Sequence, residues 1–169
     1  MKQRSYTKGF SLIEMLVYVS VMTVIFLIVV QTVLLFTSSY HRLTALRTLD
    51  HSASDSMERM TRDIRNATSV DALNSVFGGT TGSLSVVANL NSVSTTTKFY
   101  LVSQALDVSI NGSLIGPLTN TPVSVTALTF TSLTSANTTA VKVDMTLVVT
   151  DGPVTLSKKY HTTIILKGS

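Results

Sequence analysis

Cysteine is absent from the 169-residue chain, which excludes a disulfide framework and any thiolate metal site. Proline occurs only three times, at Pro117, Pro122 and Pro153, and no glycine lies between Gly9 and Gly78. Residues 10–66 therefore hold neither of the residues that most readily break a helix. Charged residues make up 13% of the chain, and there are three histidines. His41 and His51 are too far apart for an i,i+4 metal pair. His51 and Asp55 have that spacing, but two groups do not make a metal site. No G-x-S-x-G elbow is present. Gly78-Gly79-Thr80-Thr81-Gly82 lacks the lysine and the strand–helix context of a phosphate loop. The expectation is a protein without metal, cofactor or catalytic constellation.

What the chain has is an apolar run over residues 10–36, preceded by a leader with Lys2, Arg4 and Lys8. A secretory signal peptide has an apolar core of about 7–15 residues, and this run is far longer. A bilayer-spanning helix needs about 20. The basic leader favours a cytoplasmic N-terminus, although Arg42 and Arg47 on the other flank make the asymmetry modest. One ionisable residue, Glu14, interrupts the run. A carboxylate at the centre of a span costs roughly 2.5–3.5 kcal/mol, less near an end, and usually marks a function or a partner.

Gly9-Phe10-Ser11-Leu12-Ile13-Glu14, with the basic leader before it and the apolar run behind it, closely resembles the cleavage and methylation signal of type IV prepilins and type II secretion pseudopilins. The resemblance implies that a membrane aspartyl peptidase cuts between Gly9 and Phe10 and then methylates the new Phe10 amine. It also implies that Glu14 sets filament register by pairing with the N-terminal amine of a neighbouring subunit. Loss of Lys2, Arg4 and Lys8 would bring the formal charge of +4 near +1, so bulk charge does not imply a nucleic-acid partner. Gln31 stands where main subunits of that family often carry a proline, which favours a minor subunit, similar to the J-type pseudopilins. Implied partners are the prepilin peptidase/methyltransferase, other pilin or pseudopilin subunits, an inner-membrane assembly platform and membrane lipid. Lys158 and Lys159 are the only pointer to nucleic acid, and without an aromatic platform they are better explained as guards of an edge strand.

Beyond the apolar run, Leu43, Leu46, Leu49, Ala53, Met57, Met60 and Ile64 recur in steps of three and four and predict an apolar stripe. Asp55–Arg59 and Glu58–Arg62 have the spacing of helical ion pairs. One helix of about 57 residues, roughly 85 Å at 1.5 Å per residue, is expected. From Thr68 onward the composition turns to Ser, Thr, Val and Asn in short alternating runs, the pattern of strands. Candidates are 83–89, 98–103, 107–110, 123–133, 141–149 and 156–166. Asn111-Gly112 predicts a hairpin turn, and a change of inward face near Ala127 predicts a bulge.

The expected architecture is α+β: a long N-terminal transmembrane and amphipathic helix packed on a C-terminal antiparallel β domain, as in pilins. Its segments are a leader (1–9), a membrane or filament-core half-helix (10–36), an amphipathic half-helix (37–67) and a β-rich domain (68–169). The expected function is that of a minor pilin or pseudopilin: a non-enzymatic subunit of a type IV pilus, competence pilus or type II secretion filament. It would be held as a single-pass protein of the inner membrane, then assembled into a periplasmic or extracellular filament. The competing reading is a membrane-tethered β domain that binds or adheres to a ligand.

Overall fold

The computed structural model describes residues 11–90, 93–135 and 138–167. The leader, with Gly9, and the adjoining Phe10 lie outside them. Helix α1 spans Leu12–Arg65, 54 residues, and no proline or glycine interrupts it. Its first amides bond to Ser11, Glu14 N at 3.0 Å and Met15 N at 3.2 Å from the Ser11 carbonyl oxygen. Glu14 lies in the first turn and Arg62 and Arg65 in the last, the arrangement that complements the helix dipole. At the far end Ala67 N bonds to Ile64 O, a tightened last turn.

The chain divides into two compact units, residues 1–40 and 41–169. The described part of the first unit is helical from Leu12 on, and every described residue in it is exposed. The second unit holds the rest of α1 and eight strands in two antiparallel meanders. One sheet runs in order through β1 (Ser69–Val70), β2 (Leu84–Leu90), β3 (Val93–Val102), β4 (Ala105–Ile110) and β5 (Ser113–Pro117). The other runs through β6 (Val123–Ser135), β7 (Thr138–Asp151) and β8 (Val154–Ile165). The α+β architecture is the expected one, with a long N-terminal helix packed on antiparallel sheet.

One core joins helix and sheets. Leu49, Met60 and Ile64 of α1 are buried with Phe99 and Leu106 of the first sheet and Phe130, Met145 and Leu147 of the second. Strand β7 shows why it forms: Val141, Val143, Met145, Leu147 and Val149 are buried, and the residues between them are half-buried, a period of two. The β6–β7 register shifts between Val125 and Ala127, where the change of face was expected. Asn111 (φ 49°) and Gly112 (φ 81°) form the expected hairpin turn between β4 and β5.

The helical stripe is the expected one from Leu49 on, with Ala53, Met60 and Ile64 buried and Met57 packed on the core, and it departs from expectation at its start. Its buried residues are Ala45, Leu49, Ala53, Ser56, Met60 and Ile64, whereas Leu43 is 57% exposed. Positions 43 and 45 point about 200° apart around a helix, so both cannot face the sheets. A hydrophobicity pattern prefers Leu43; the packing takes the small Ala45. Buried Ser56 is satisfied because its hydroxyl lies 2.7 Å from Ser52 O and 3.2 Å from Leu118 O, either of which it can serve. The expected Asp55–Arg59 pair is also replaced. Arg59 Nε turns to Asp63 Oδ2 at 2.7 Å, and His51 Nδ1 lies 2.8 Å from Asp55 Oδ2. Asp63 is the more buried carboxylate, so it gains more from a cation.

The phase of the stripe has a direct test. Met60→Ala should destabilise the 41–169 unit by about 2–5 kcal/mol, whereas Leu43→Ala should change stability by less than about 0.5 kcal/mol. Denaturant titration of the detergent-solubilised chain separates the two. A larger loss at Leu43 would start the stripe where hydrophobicity alone predicts.

Candidate functional site

The N-terminal part of α1 is an uncovered apolar surface. Leu12, Met22, Phe26 and Phe36 are 85%, 74%, 66% and 72% exposed. The helix is long and apolar enough to cross a membrane, with a window of mean hydropathy 2.6. Its hydroxyls are turned inward onto its own backbone. Ser20 Oγ donates to Leu16 O at 2.5 Å, Thr23 Oγ1 to Val19 O at 2.8 Å, Thr32 Oγ1 to Ile28 O at 2.7 Å and Thr37 Oγ1 to Val33 O at 3.0 Å. Such i−4 bonds let Ser and Thr sit where no water can serve them.

Glu14 is the one carboxylate on this surface. Tyr18 OH, one turn further on, donates to Glu14 Oε1 at 3.3 Å. The Tyr18 contact escaped sequence reasoning, although the i,i+4 spacing was the available signal. Glu14 itself is exposed; a carboxylate covered by lipid or by other helices needs a cation or several donors, more than one long bond to a phenol supplies. Gly9 and Phe10, the expected processing pair, lie outside the described residues.

The basic pair near the end of the chain is tied up in the 41–169 unit. Lys158 Nζ lies 2.7 Å from Asp50 Oδ1, and Tyr160 OH donates to the same oxygen at 2.6 Å. Lys158 Nζ also lies 5.2 Å from the centroid of the Tyr160 ring. Lys159 Nζ is 3.6 Å from Asp144 Oδ1, and Lys142 Nζ is 3.0 Å from Asp144 Oδ2. Hydrogen bonds from Lys158 and then Tyr160 hold the Asp50 carboxyl below the usual carboxylate range. Asp144 is lowered in the same way, chiefly by Lys142. Burial, reinforced by the hydrogen bond to Asp50, pushes the Tyr160 phenol above its ordinary value. Asp50 comes from α1 and its partners from β8, so these contacts staple the helix to an edge strand.

The histidines do not converge. His41 Nδ1 lies 3.3 Å from Asp151 Oδ2, His51 pairs with Asp55, and exposed His161 stands opposite Asp144 in the β7–β8 register. Among the described residues no group of three His, Asp or Glu side chains is placed to hold a metal ion.

Comparison with protein families finds one match, the prokaryotic N-terminal methylation motif, over residues 4–30. The chain thus carries a prepilin signal of the type IV pilin kind, spanning the leader, the expected junction and much of the exposed helix. The methylation motif overlaps the membrane-capable helix over residues 12–30. Comparison with curated proteins and with solved structures finds no match.

The Asp50 staple makes stability depend on acid pH. A carboxyl with a depressed folded-state pKa contributes stability that is complete above its unfolded pKa, about 3.9. That contribution is lost as pH falls through the lower folded value. Wild type should therefore lose more stability than Asp50→Asn on acidification below about pH 5. The difference should be under about 1 kcal/mol, because the pair is half exposed and solvent-screened. Parallel urea titrations at neutral and acid pH measure it; identical acid losses in the two proteins would contradict the staple.

Proposed function

We propose that the chain is a pilin-like filament subunit, non-enzymatic, working in a type IV pilus, a competence pilus or a type II secretion filament. The observation that carries this reading is the coincidence on one helix of three things: the methylation motif over residues 4–30, an apolar surface exposed on every side, and Glu14 in the first turn. A plain membrane anchor accounts for the second but not for the first or third.

The mechanism is the one that the resemblance to prepilins implies, and charge and burial are consistent with it. The precursor sits in the cytoplasmic membrane as a single span with its N-terminus in the cytoplasm. A prepilin peptidase cuts between Gly9 and Phe10, removes the basic leader, and leaves an α-amine that the same enzyme methylates. Glu14 and that amine are four residues apart, about 6 Å along a helix. In one chain they lie on the same flank; between two chains offset by that distance they form an ion pair. Withdrawal from lipid at an inner-membrane assembly platform then exchanges lipid contacts for contacts with other subunits. The lack of proline at Gln31 supports a minor, J-type-like subunit over a main building block.

Two substitutions test the reading. Glu14→Ala should leave the 41–169 unit folded and the leader cleaved, yet reduce recovery of the protein in sheared filaments at least several-fold. Recovery at the wild-type level would remove Glu14 from register setting. Gly9→Leu should leave the full-length precursor in the membrane, detected as the higher-mass species in immunoblots; normal cleavage of that variant would overturn the assigned junction.

A further inference from the structure

The first sheet has a face that the core does not use. Phe99 of β3 and Leu106 and Val108 of β4 are buried in the core, so by the period of two Lys98, Tyr100, Asp107 and Ser109 stand on the opposite face. The register sets Tyr100 directly opposite Asp107 and Lys98 opposite Ser109. At ~4.8 Å between strands and ~3.4 Å per residue, the four positions mark out a patch of about 5 by 7 Å, the footprint of one sugar ring. Asp107 is only 9% exposed, yet among the described residues its carboxylate has no hydrogen bond or ion pair. Its oxygens are not sealed from solvent. The side chains of Lys98, Tyr100 and Ser109 have no such partner either. Lys98 acts on Asp71 through its charge, but Asp71 is bonded to Asn74 Nδ2 at 2.6 Å. A carboxylate so covered and without a donor is costly to the fold. Beside it the β4–β5 register shifts between Val108 and Ser109, and such bulges are over-represented next to functional sites.

The charges on the patch select its ligand. Lys98 opposes a metal cation, and among the described residues no three His, Asp or Glu side chains are placed to hold one. Asp107 opposes a phosphate or a carboxylate. A neutral molecule rich in hydroxyls meets neither objection, because each hydroxyl both donates and accepts. We propose that this face of the first sheet binds a neutral saccharide. Asp107 accepts from adjacent sugar hydroxyls, Lys98, Tyr100 and Ser109 donate to ring and hydroxyl oxygens, and the Tyr100 ring supplies apolar surface for the sugar's C–H groups. Leu114, 60% exposed and opposite Ser109 on β5, extends that surface toward a second sugar unit. The site lies wholly within the 41–169 unit and does not depend on assembly into a filament.

The test uses the full-length chain in phosphatidylcholine nanodiscs, which avoids sugar-based detergents. Neutral oligosaccharides of glucose, mannose, galactose and N-acetylglucosamine are titrated in turn and followed by saturation-transfer NMR. Diglycine, a zwitterion able to meet both Lys98 and Asp107, is run beside them. The expected result is binding of at least one oligosaccharide, weakened about tenfold or more by Asp107→Asn and by a smaller factor by Tyr100→Phe. Thr131→Ala, on β6 of the other sheet, should leave it unchanged. Because the Asp107 carboxylate has no partner in the fold, Asp107→Asn should keep the wild-type melting temperature. A lower one, or failure to fold, would show the carboxylate to be structural and overturn the site. Binding of no oligosaccharide, binding of diglycine alone, or equal binding by wild type and Asp107→Asn overturns it as well.

Discussion

Residues 12–36 display a row of exposed large apolar side chains, and the rest of the molecule's behaviour depends on what covers them. Each fully buried Leu, Ile, Val, Phe or Met contributes about 1.5–3 kcal/mol relative to exposure. Nineteen such residues outweigh by far the roughly 2.5–3.5 kcal/mol that a carboxylate costs at the centre of a span. Lipid or neighbouring helices can therefore hold this segment despite Glu14. The converse matters more for mechanism: apolar packing is non-directional and does not choose one axial offset over another. A single charge whose partner sits at one place along the helix does. In the proposed assembly, stabilisation comes from the apolar side chains and register from Glu14.

The 41–169 unit solves a different problem. Its part of α1 needs a fixed rotation against the two sheets, and Leu49, Met60 and Ile64 supply the buried contacts. Polar contacts then hold that rotation from the sides. Ser56 reaches Leu118 O, and Asp50 receives both Lys158 and Tyr160. The Asp50 cluster ties Lys158 and Tyr160 of edge strand β8 to the helix.

Much of this was legible in the chain. Within the glycine- and proline-free stretch over residues 10–66, Leu12–Arg65 form one helix, and strict alternation at residues 141–149 became part of β7. Asn111-Gly112 became a hairpin turn because both residues tolerate positive φ. Ser103-Gln104 makes the same kind of two-residue turn, with φ of 47° and 68°, but neither residue advertises it. Strand β5 was overlooked as an element in its own right because Ser113–Pro117 has no buried face and thus no alternation to detect. Ala45 was passed over for Leu43 because a methyl group registers weakly in any hydrophobic pattern, although small size suits a tight helix–sheet contact. The Asp50–Lys158 pair joins residues 108 positions apart, a distance over which no local periodicity speaks. Of the candidate site, Glu14 and the motif around it were plain in the sequence, whereas Tyr18 as its hydrogen-bond donor emerged only from the geometry.

The central claim is that the chain is made as a precursor whose leader is removed to expose an amine for Glu14. Intact mass and N-terminal sequencing of the membrane-extracted protein, with and without an active prepilin peptidase, test it most directly. The account predicts a mature chain that begins at N-methylated Phe10 and appears only when the peptidase is active. A chain that keeps residues 1–9 in the presence of active peptidase would contradict it and leave a tethered β domain in place of a filament subunit.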